Sequence, residues 1–287
     1  MEIDPRGVMC QSPGRENPGR GFLCSRLLAT FPASAIESLP NLNRRLARMP
    51  RKHSLSAALA EPAGVTHVSD RGLGLRTLPP EIGELRDLQH LTLSECAIEE
   101  LPASLWSLTE LRSLNLFDNA IREMSPEIGR LTRLEKLVLG TNDLRALPAE
   151  LATLPALTEL NLANNPRLDW DQAMAILCRI KDLERLSIYQ NPIRELPEEI
   201  GRLTRLRGLQ AFGCELRTVP ASLDGLTQLR ELDLRANATE AFDLDLSRLP
   251  HLERLDLSYN RLPTETVARL RGLERGGMRI ILDPQAP

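Results

Sequence analysis

Aromatic residues are scarce in this chain: nine among 287, or 3%. A core with so few large rings must be filled by branched aliphatic side chains, and leucine supplies most of the 42% apolar content. Lysine is nearly missing as well. It occurs only at Lys52, Lys136 and Lys181, and arginine provides the rest of the 36 basic residues, a bias expected of a GC-rich, bacterial genome. No charge sign dominates, because 39 acidic residues leave a net charge of −3. That balance excludes the broad basic field of a nucleic-acid binder and the charge excess of a disordered chain. No run approaches the ~20 apolar residues of a membrane-spanning helix. The most apolar N-terminal run, residues 21–31, is broken by Arg26 and follows a polar, Gly- and Pro-rich opening, unlike a secretory signal. The five cysteines are odd in number and form no close pair, which argues against a disulfide framework and for a reducing compartment.

Signatures of catalysis are missing too. The chain has no G-x-x-x-x-G-K-S/T loop, no H-E-x-x-H, no C-x-x-C and no G-x-S-x-G. The histidines are His53, His67, His90 and His251, and no third ligand stands at metal spacing from the pair His67 and His90. The expectation is a protein without enzymatic activity, cofactor, metal or small-molecule substrate.

What the chain has is a period. Leu88, Leu111, Leu134 and Leu157 are each 23 residues apart, and the series resumes at Leu183, Leu206, Leu229 and Leu252. The unit reads L-x-x-L-x-L-x-x-N/C-x-L-x-x-L-P-x-x-I/L-x-x-L. From Leu183 every slot is filled: Leu186, Ile188, Asn191, Ile193, Leu196, Pro197, Ile200 and Leu203. A degenerate first unit starts at Val65, which makes nine. Positions 4 and 6 alternate as a strand with one buried face does, so stacked units should pair in parallel into a curved sheet. The second half of each unit returns the chain on the convex side, where proline at the L-P step suits the first turn of a short helix or 3-10 segment. No unit can bury its leucines alone. Position 9 carries Asn119, Asn142, Asn165, Asn191, Asn237 and Asn260, with Cys96 and Cys214 in two units. A buried amide there can bond the backbone of adjacent turns, and a thiol is small enough to replace it.

This pattern resembles the leucine-rich repeat family, in its 23-residue intracellular type with L-P-x-x-I/L-G-x-L. The run Leu196-Pro197-Glu198-Glu199-Ile200-Gly201-Arg202-Leu203 is similar to units of Ras-group scaffolds, plant intracellular repeat proteins and bacterial repeat proteins. The resemblance implies an α/β solenoid with a parallel concave sheet and short helices or 3-10 turns on the convex side. It also implies a protein-binding module that works in the cytoplasm, as a scaffold in signal transduction. A bacterial effector carried into a host cell is the alternative.

Three regions break the period. The unit from Leu157 is 26 residues long, and Asp169 followed by Met174, Leu177 and Cys178 on one face predicts a true helix that packs on the convex side, with a local bend or a convex contact through Trp170 as the alternative. The unit from Leu229 lacks the L-P step, and Phe242 is expected to fill a leucine slot. After Leu262-Pro263, residues 265–273 suit a helix and residues 278–282 a closing strand, beyond which residues 283–287 form a tail. Residues 1–64 differ in kind. Residues 1–20 read as disordered, residues 33–48 as a basic helix and residues 54–60 as a capping helix, and the solenoid runs over 65–282.

Partner binding is expected on the concave face, where positions 3, 5, 7 and 8 point out of the sheet. Four of the nine aromatics fall at positions 7 and 8: Phe117, Tyr189, Phe212 and Tyr259. Exposed aromatics among arginines and carboxylates are common interface anchors. The candidate site is an apolar centre of Tyr189 and Phe212 in adjacent units. Arg185, Gln190, Gln210, Asp233 and Arg235 surround it, and Phe117, Asp118 and Tyr259 lie farther along the same face.

Overall fold

The structure is a computed structural model that describes residues 53–273 and 277–285. The expectations for residues 1–20 and 33–48 lie outside the described residues. A short helix α1 (Leu55–Ala60) precedes the first strand, and the Ser54 side chain accepts from Ala57 N at its start. Ten strands follow: β1 (His67–Arg71), β2 (His90–Ser94), β3 (Ser113–Asn115), β4 (Lys136–Val138), β5 (Glu159–Asn161), β6 (Arg185–Ser187), β7 (Gly208–Gln210), β8 (Glu231–Asp233), β9 (Arg254–Asp256) and β10 (Arg279–Ile281). They form one curved parallel sheet in chain order. The register is the period made visible, because each residue pairs with its equivalent in the next unit: Leu91 with Leu114, Leu137 with Leu160, Leu209 with Leu232. Residues at position 4 point inward and are fully or almost fully buried. A parallel ladder of this kind needs a long return connection, which the convex half of each unit provides.

That return is a 3-10 turn, at Pro80–Glu84, Ala103–Ser107, Pro126–Arg130, Ala149–Thr153, Glu198–Arg202, Ala221–Gly225 and Leu246–Arg248. The prolines sit one step earlier than expected. Pro79, Pro102, Pro148, Pro197 and Pro220 occupy the cap before the first turn, with φ between −63° and −71°. Each carbonyl accepts the first turn's closing bond, as from Ile200 N to Pro197 O at 3.0 Å. Proline suits the cap as well as the first turn, because no amide donor is required there either. The glycine after the isoleucine has a different cause. A Cβ on Gly201 would lie 2.7 Å from Ser222 Cβ and 2.9 Å from Ser222 O, and one on Gly83 would meet Ser104 Cβ at 2.9 Å. Glycine here lets successive convex turns approach. Gly201→Ala is therefore expected to destabilise the fold by about 2 kcal/mol. Thermal unfolding followed by circular dichroism would show it, and an unchanged midpoint would refute the close-approach argument.

Position 9 forms a continuous hydrogen-bonded column inside the sheet bend. Asn165 is fully buried. Its amide nitrogen donates to Leu139 O at 3.0 Å, Leu162 O at 3.1 Å and Ala163 O at 3.2 Å, and its oxygen accepts from Leu144 N at 3.3 Å. Asn119, Asn142, Asn191, Asn237 and Asn260 repeat the pattern. Cys214 fills the slot with its thiol 3.2 Å from Ile188 O, and Cys96 with its thiol 3.2 Å from Ser94 O. Burial pushes the Cys214 thiol up to about 12, so it stays protonated at neutral pH, and a thiol rather than a thiolate is a poor nucleophile and metal ligand. Gln285 ends the column. It stands at position 9 of a tenth half-unit that begins with Gly277, donates to Leu257 O at 3.1 Å and to Leu282 O, and accepts from Leu262 N at 3.2 Å.

The irregular regions follow from their side chains. Helix α2 (Trp170–Leu177) is capped by Asp169, whose carboxylate accepts from Gln172 N at 3.1 Å. Met174, Leu177 and Cys178 are buried. So is Trp170, at 6% exposure: its ring packs against the solenoid, as expected of a helix that only packs, and does not offer the alternative convex contact. Phe242 is 1% exposed and part of the core. Helix α3 (Thr264–Arg271) buries Val267 and Leu270, and Ile280 of β10 is buried beside Leu282.

Candidate functional site

The strands position the concave side chains in rows. In the central units they end at position 5, so Tyr189 and Phe212 at position 7 stand just past the sheet on the rising segment. One residue later the backbone turns left-handed in every unit. Gly72, Glu95, Asp118, Thr141, Asn164, Gln190, Gly213, Ala236 and Tyr259 have φ between +50° and +71°. Nothing in the identity of these residues announces such a row, since only two are glycine. It arises because the chain must leave the sheet in the same direction each time. The conformation costs a non-glycine residue about 1 kcal/mol, which the surrounding ladder offsets.

Three of the candidate residues form a column. The rings of Tyr189 and Phe212 are stacked, with centroids 4.3 Å apart and planes 8° from parallel. The Arg235 guanidinium lies 4.5 Å from the Phe212 centroid, continuing the stack into the next unit. Arg235 Nε is 3.4 Å from Asp233 Oδ2, which fixes the guanidinium from the side. The column is half-buried and already stacked in the absence of a partner. Burial pushes the Asp233 carboxyl above the usual carboxylate range, and the Arg235 backbone amide and guanidinium only partly oppose this. Gln210 Oε1 accepts from Ser187 Oγ at 2.8 Å, and Arg185 is 2.8 Å from Glu159. Gln190 is exposed beside Tyr189.

The remaining candidates stand apart. Phe117 lies three units before Tyr189 and covers Gly140, where an added Cβ would be 3.2 Å from its ring and 2.8 Å from Asn161 Oδ1. Asp118 is exposed next to it. Tyr259 lies two units beyond Phe212 and is 55% exposed, the most open large hydrophobic side chain among the described residues. Around Arg185, position 3 holds residues that the sequence reading did not single out: Lys136, Glu159, Gly208 and Glu231. Lys136 and Arg185 each reach Glu159 at 2.8 Å, and this pairing, the Lys136 bond first, holds the Glu159 carboxyl below its ordinary value. A depression of about 240 Å³ opens there, lined among others by Lys136, Glu159, Arg185, Gly208, Gln210 and Glu231. The signal was legible as charges of alternating sign at position 3 of successive units, Lys136, Glu159 and Arg185, interrupted at Gly208. At the N-terminal end His67 and His90 stack with centroids 4.3 Å apart, and among the described residues no three His, Cys, Asp or Glu side chains converge as a metal site.

Sequence comparison agrees with this geometry. A leucine-rich repeat region profile matches residues 69–189, and a second leucine-rich repeat profile matches residues 251–273. The chain belongs to the leucine-rich repeat family. Among solved structures it is similar to a Leptospira interrogans leucine-rich repeat protein, with 25% identity and a TM-score of 0.57 over 83% of this chain and 72% of that one. It is also similar to the leucine-rich repeat domain of the type III effector XopL, with 26% identity and a TM-score of 0.63 over 79% of this chain and 80% of that domain. Internalin C2 of Listeria monocytogenes shares the fold at 23% identity and a TM-score of 0.57, over 71% of this chain and 84% of that one. No curated protein matches the sequence. Among the described residues no helix is long and apolar enough to cross a membrane.

Proposed function

We propose that this leucine-rich repeat protein is a non-enzymatic interaction module whose concave face holds a partner protein. The observation that carries this reading is the preformed column of Tyr189, Phe212 and Arg235. In a chain with nine aromatics, two are stacked at the open face instead of filling the core. Aromatic and arginine anchors held rigid in the free protein lose little entropy on binding, which is how a small patch comes to dominate an interface. Asp233, Gln210, Gln190 and Arg185 would form the polar rim, and Phe117, Asp118 and Tyr259 would extend the footprint. Purified wild-type protein and a Tyr189→Ala, Phe212→Ala double variant should be compared by affinity capture and mass spectrometry. A partner retained by wild type should be depleted at least ~30-fold on the variant, the loss expected of two anchors worth ~1 kcal/mol or more each. Equal capture by a variant with unchanged circular dichroism would move the site off this face.

The second reading is an effector that acts on a host protein, and the likeness to the XopL repeat domain favours it. In that reading the solenoid selects the host target, and the same concave residues do the selecting. A translocation assay with the full chain separates the two. Delivery into host cells that depends on residues 1–52 supports the effector, and retention in the producing cell supports a cytoplasmic scaffold.

A further inference from the structure

We infer that the concave face selects a partner segment by a basic side chain, received in the notch over Gly208 and paired with Glu231. The inference rests on the concave-face reading above and adds the partner's chemistry. Positions 3, 5 and 7 of the six units from Leu134 to Leu252 carry eight charged side chains. Lys136 and Arg185 pair with Glu159, Arg235 with Asp233 at 3.4 Å, and Arg254 with Asp256 at 3.0 Å. Glu231 is the remaining one, and no ion pair reaches it among the described residues. Its neighbour on one side along the row is Gly208, the only position-3 residue in these units without a side chain. A Cβ at Gly208 would meet nothing nearer than Arg185 Cγ at 3.9 Å, so the missing side chain leaves open space. Both residues line the depression of about 240 Å³.

The complement is a cation with a long stem. A lysine or arginine stem can lie over the Gly208 backbone while its head meets the Glu231 carboxylate. An acidic partner side chain would face Glu231 unfavourably. It would also have to compete with Glu159 for cations that are already satisfied. Four residues separate Gly208 from Phe212, roughly 13 Å along an extended chain. The partner segment should therefore carry its basic residue about four positions from an apolar or aromatic residue that packs on the Tyr189–Phe212 pair.

A random-peptide display selection on the full chain tests this without knowledge of the natural partner. Wild type should enrich peptides with Lys or Arg at one position, roughly four residues from an aromatic or large aliphatic one. Glu231→Lys should replace that preference by Asp or Glu. Gly208→Arg, which supplies the missing cation from within, should weaken the wild-type peptides about tenfold, the value of one such pair. Thermal unfolding of each variant guards against misfolding, and Glu231→Gln should lose the preference without reversing it. A profile with no basic position, or one unchanged by Glu231→Lys, overturns the inference. Peptides that bind equally well to the Tyr189→Ala, Phe212→Ala variant would overturn the concave-column reading instead. Failure to select any peptide would overturn both.

Discussion

Replacing Asn165 by alanine should lower the stability of the solenoid by about 3 kcal/mol. The side chain is fully buried and joins two units: it donates to Leu139 O of the preceding unit and to Leu162 O and Ala163 O of its own, and it accepts from Leu144 N, again of the preceding unit. Alanine would leave two or three of these backbone groups without a partner and out of reach of water. Each orphaned group costs about 1–3 kcal/mol, and relaxation recovers only part of it. Urea titration with the slope held in common would measure the change, which corresponds to a midpoint shift of roughly 10 °C on heating. Asn165→Cys is the informative control. Cys96 and Cys214 already fill equivalent slots, so it should recover about half of the loss. If alanine and cysteine were equally harmless, the column would be ornament rather than support.

Phe242→Ala should cost about 3–5 kcal/mol, and its effect should be confined to the C-terminal end. The unit from Leu229 lacks the proline cap, and its convex turn, Leu246–Arg248, is only three residues long. Phe242, 1% exposed, fills the volume that a leucine and proline fill elsewhere. Its carbonyl also accepts from the Arg269 guanidinium, which ties helix α3 to this unit. Stability in a solenoid is a sum of unit and neighbour terms, so weakening one unit near an end uncouples those beyond it. Unfolding should split into two transitions, the first releasing the region from about Leu229 onward. Hydrogen exchange would locate it. A single cooperative transition with a shift below ~1 kcal/mol would show that Phe242 is not what joins this end to the rest.

Much of this architecture was legible in the spacing alone, because a repeat restates its hydrophobic pattern many times over. The leucine slots, the asparagine column, the cysteines as its substitutes and the stacking of Tyr189 on Phe212 follow from which residues share a position in the unit, and the helix after Asp169 from the place where the period breaks. What escaped depends on approach between units, which one unit's pattern does not encode. The glycine of L-P-x-x-I-G-x-L is set by Ser222 and Ser104 of the following turns. The left-handed row is set by the exit direction from the sheet, so Thr141 and Tyr259 adopt it against their own preference. Trp170 left two readings open because a ring at a helix start can face either way, and in the longer unit it turns inward, as the packing reading has it. At position 3 only Arg185 was singled out, because no other residue there is unusual alone, whereas the row as a whole has a gap at Gly208.

The ion pairs carry one more consequence. Arg112–Glu135, Arg133–Glu110, Lys136–Glu159, Arg207–Glu184 and Arg230–Glu253 each join residues 23 apart, as do the rungs of the sheet. Equivalent positions therefore meet equivalent positions wherever two regular units touch. Excising one whole regular unit, residues 206–228, would set Leu186 against Leu232 and Asn191 against Asn237, and no rung would lose its partner. Glu184 would then face Arg230, and Tyr189 would face Arg235. The molecule is built so that its length can change by gain or loss of a unit while its cross-section stays the same, which leaves the span of the concave face free to be fitted to a partner.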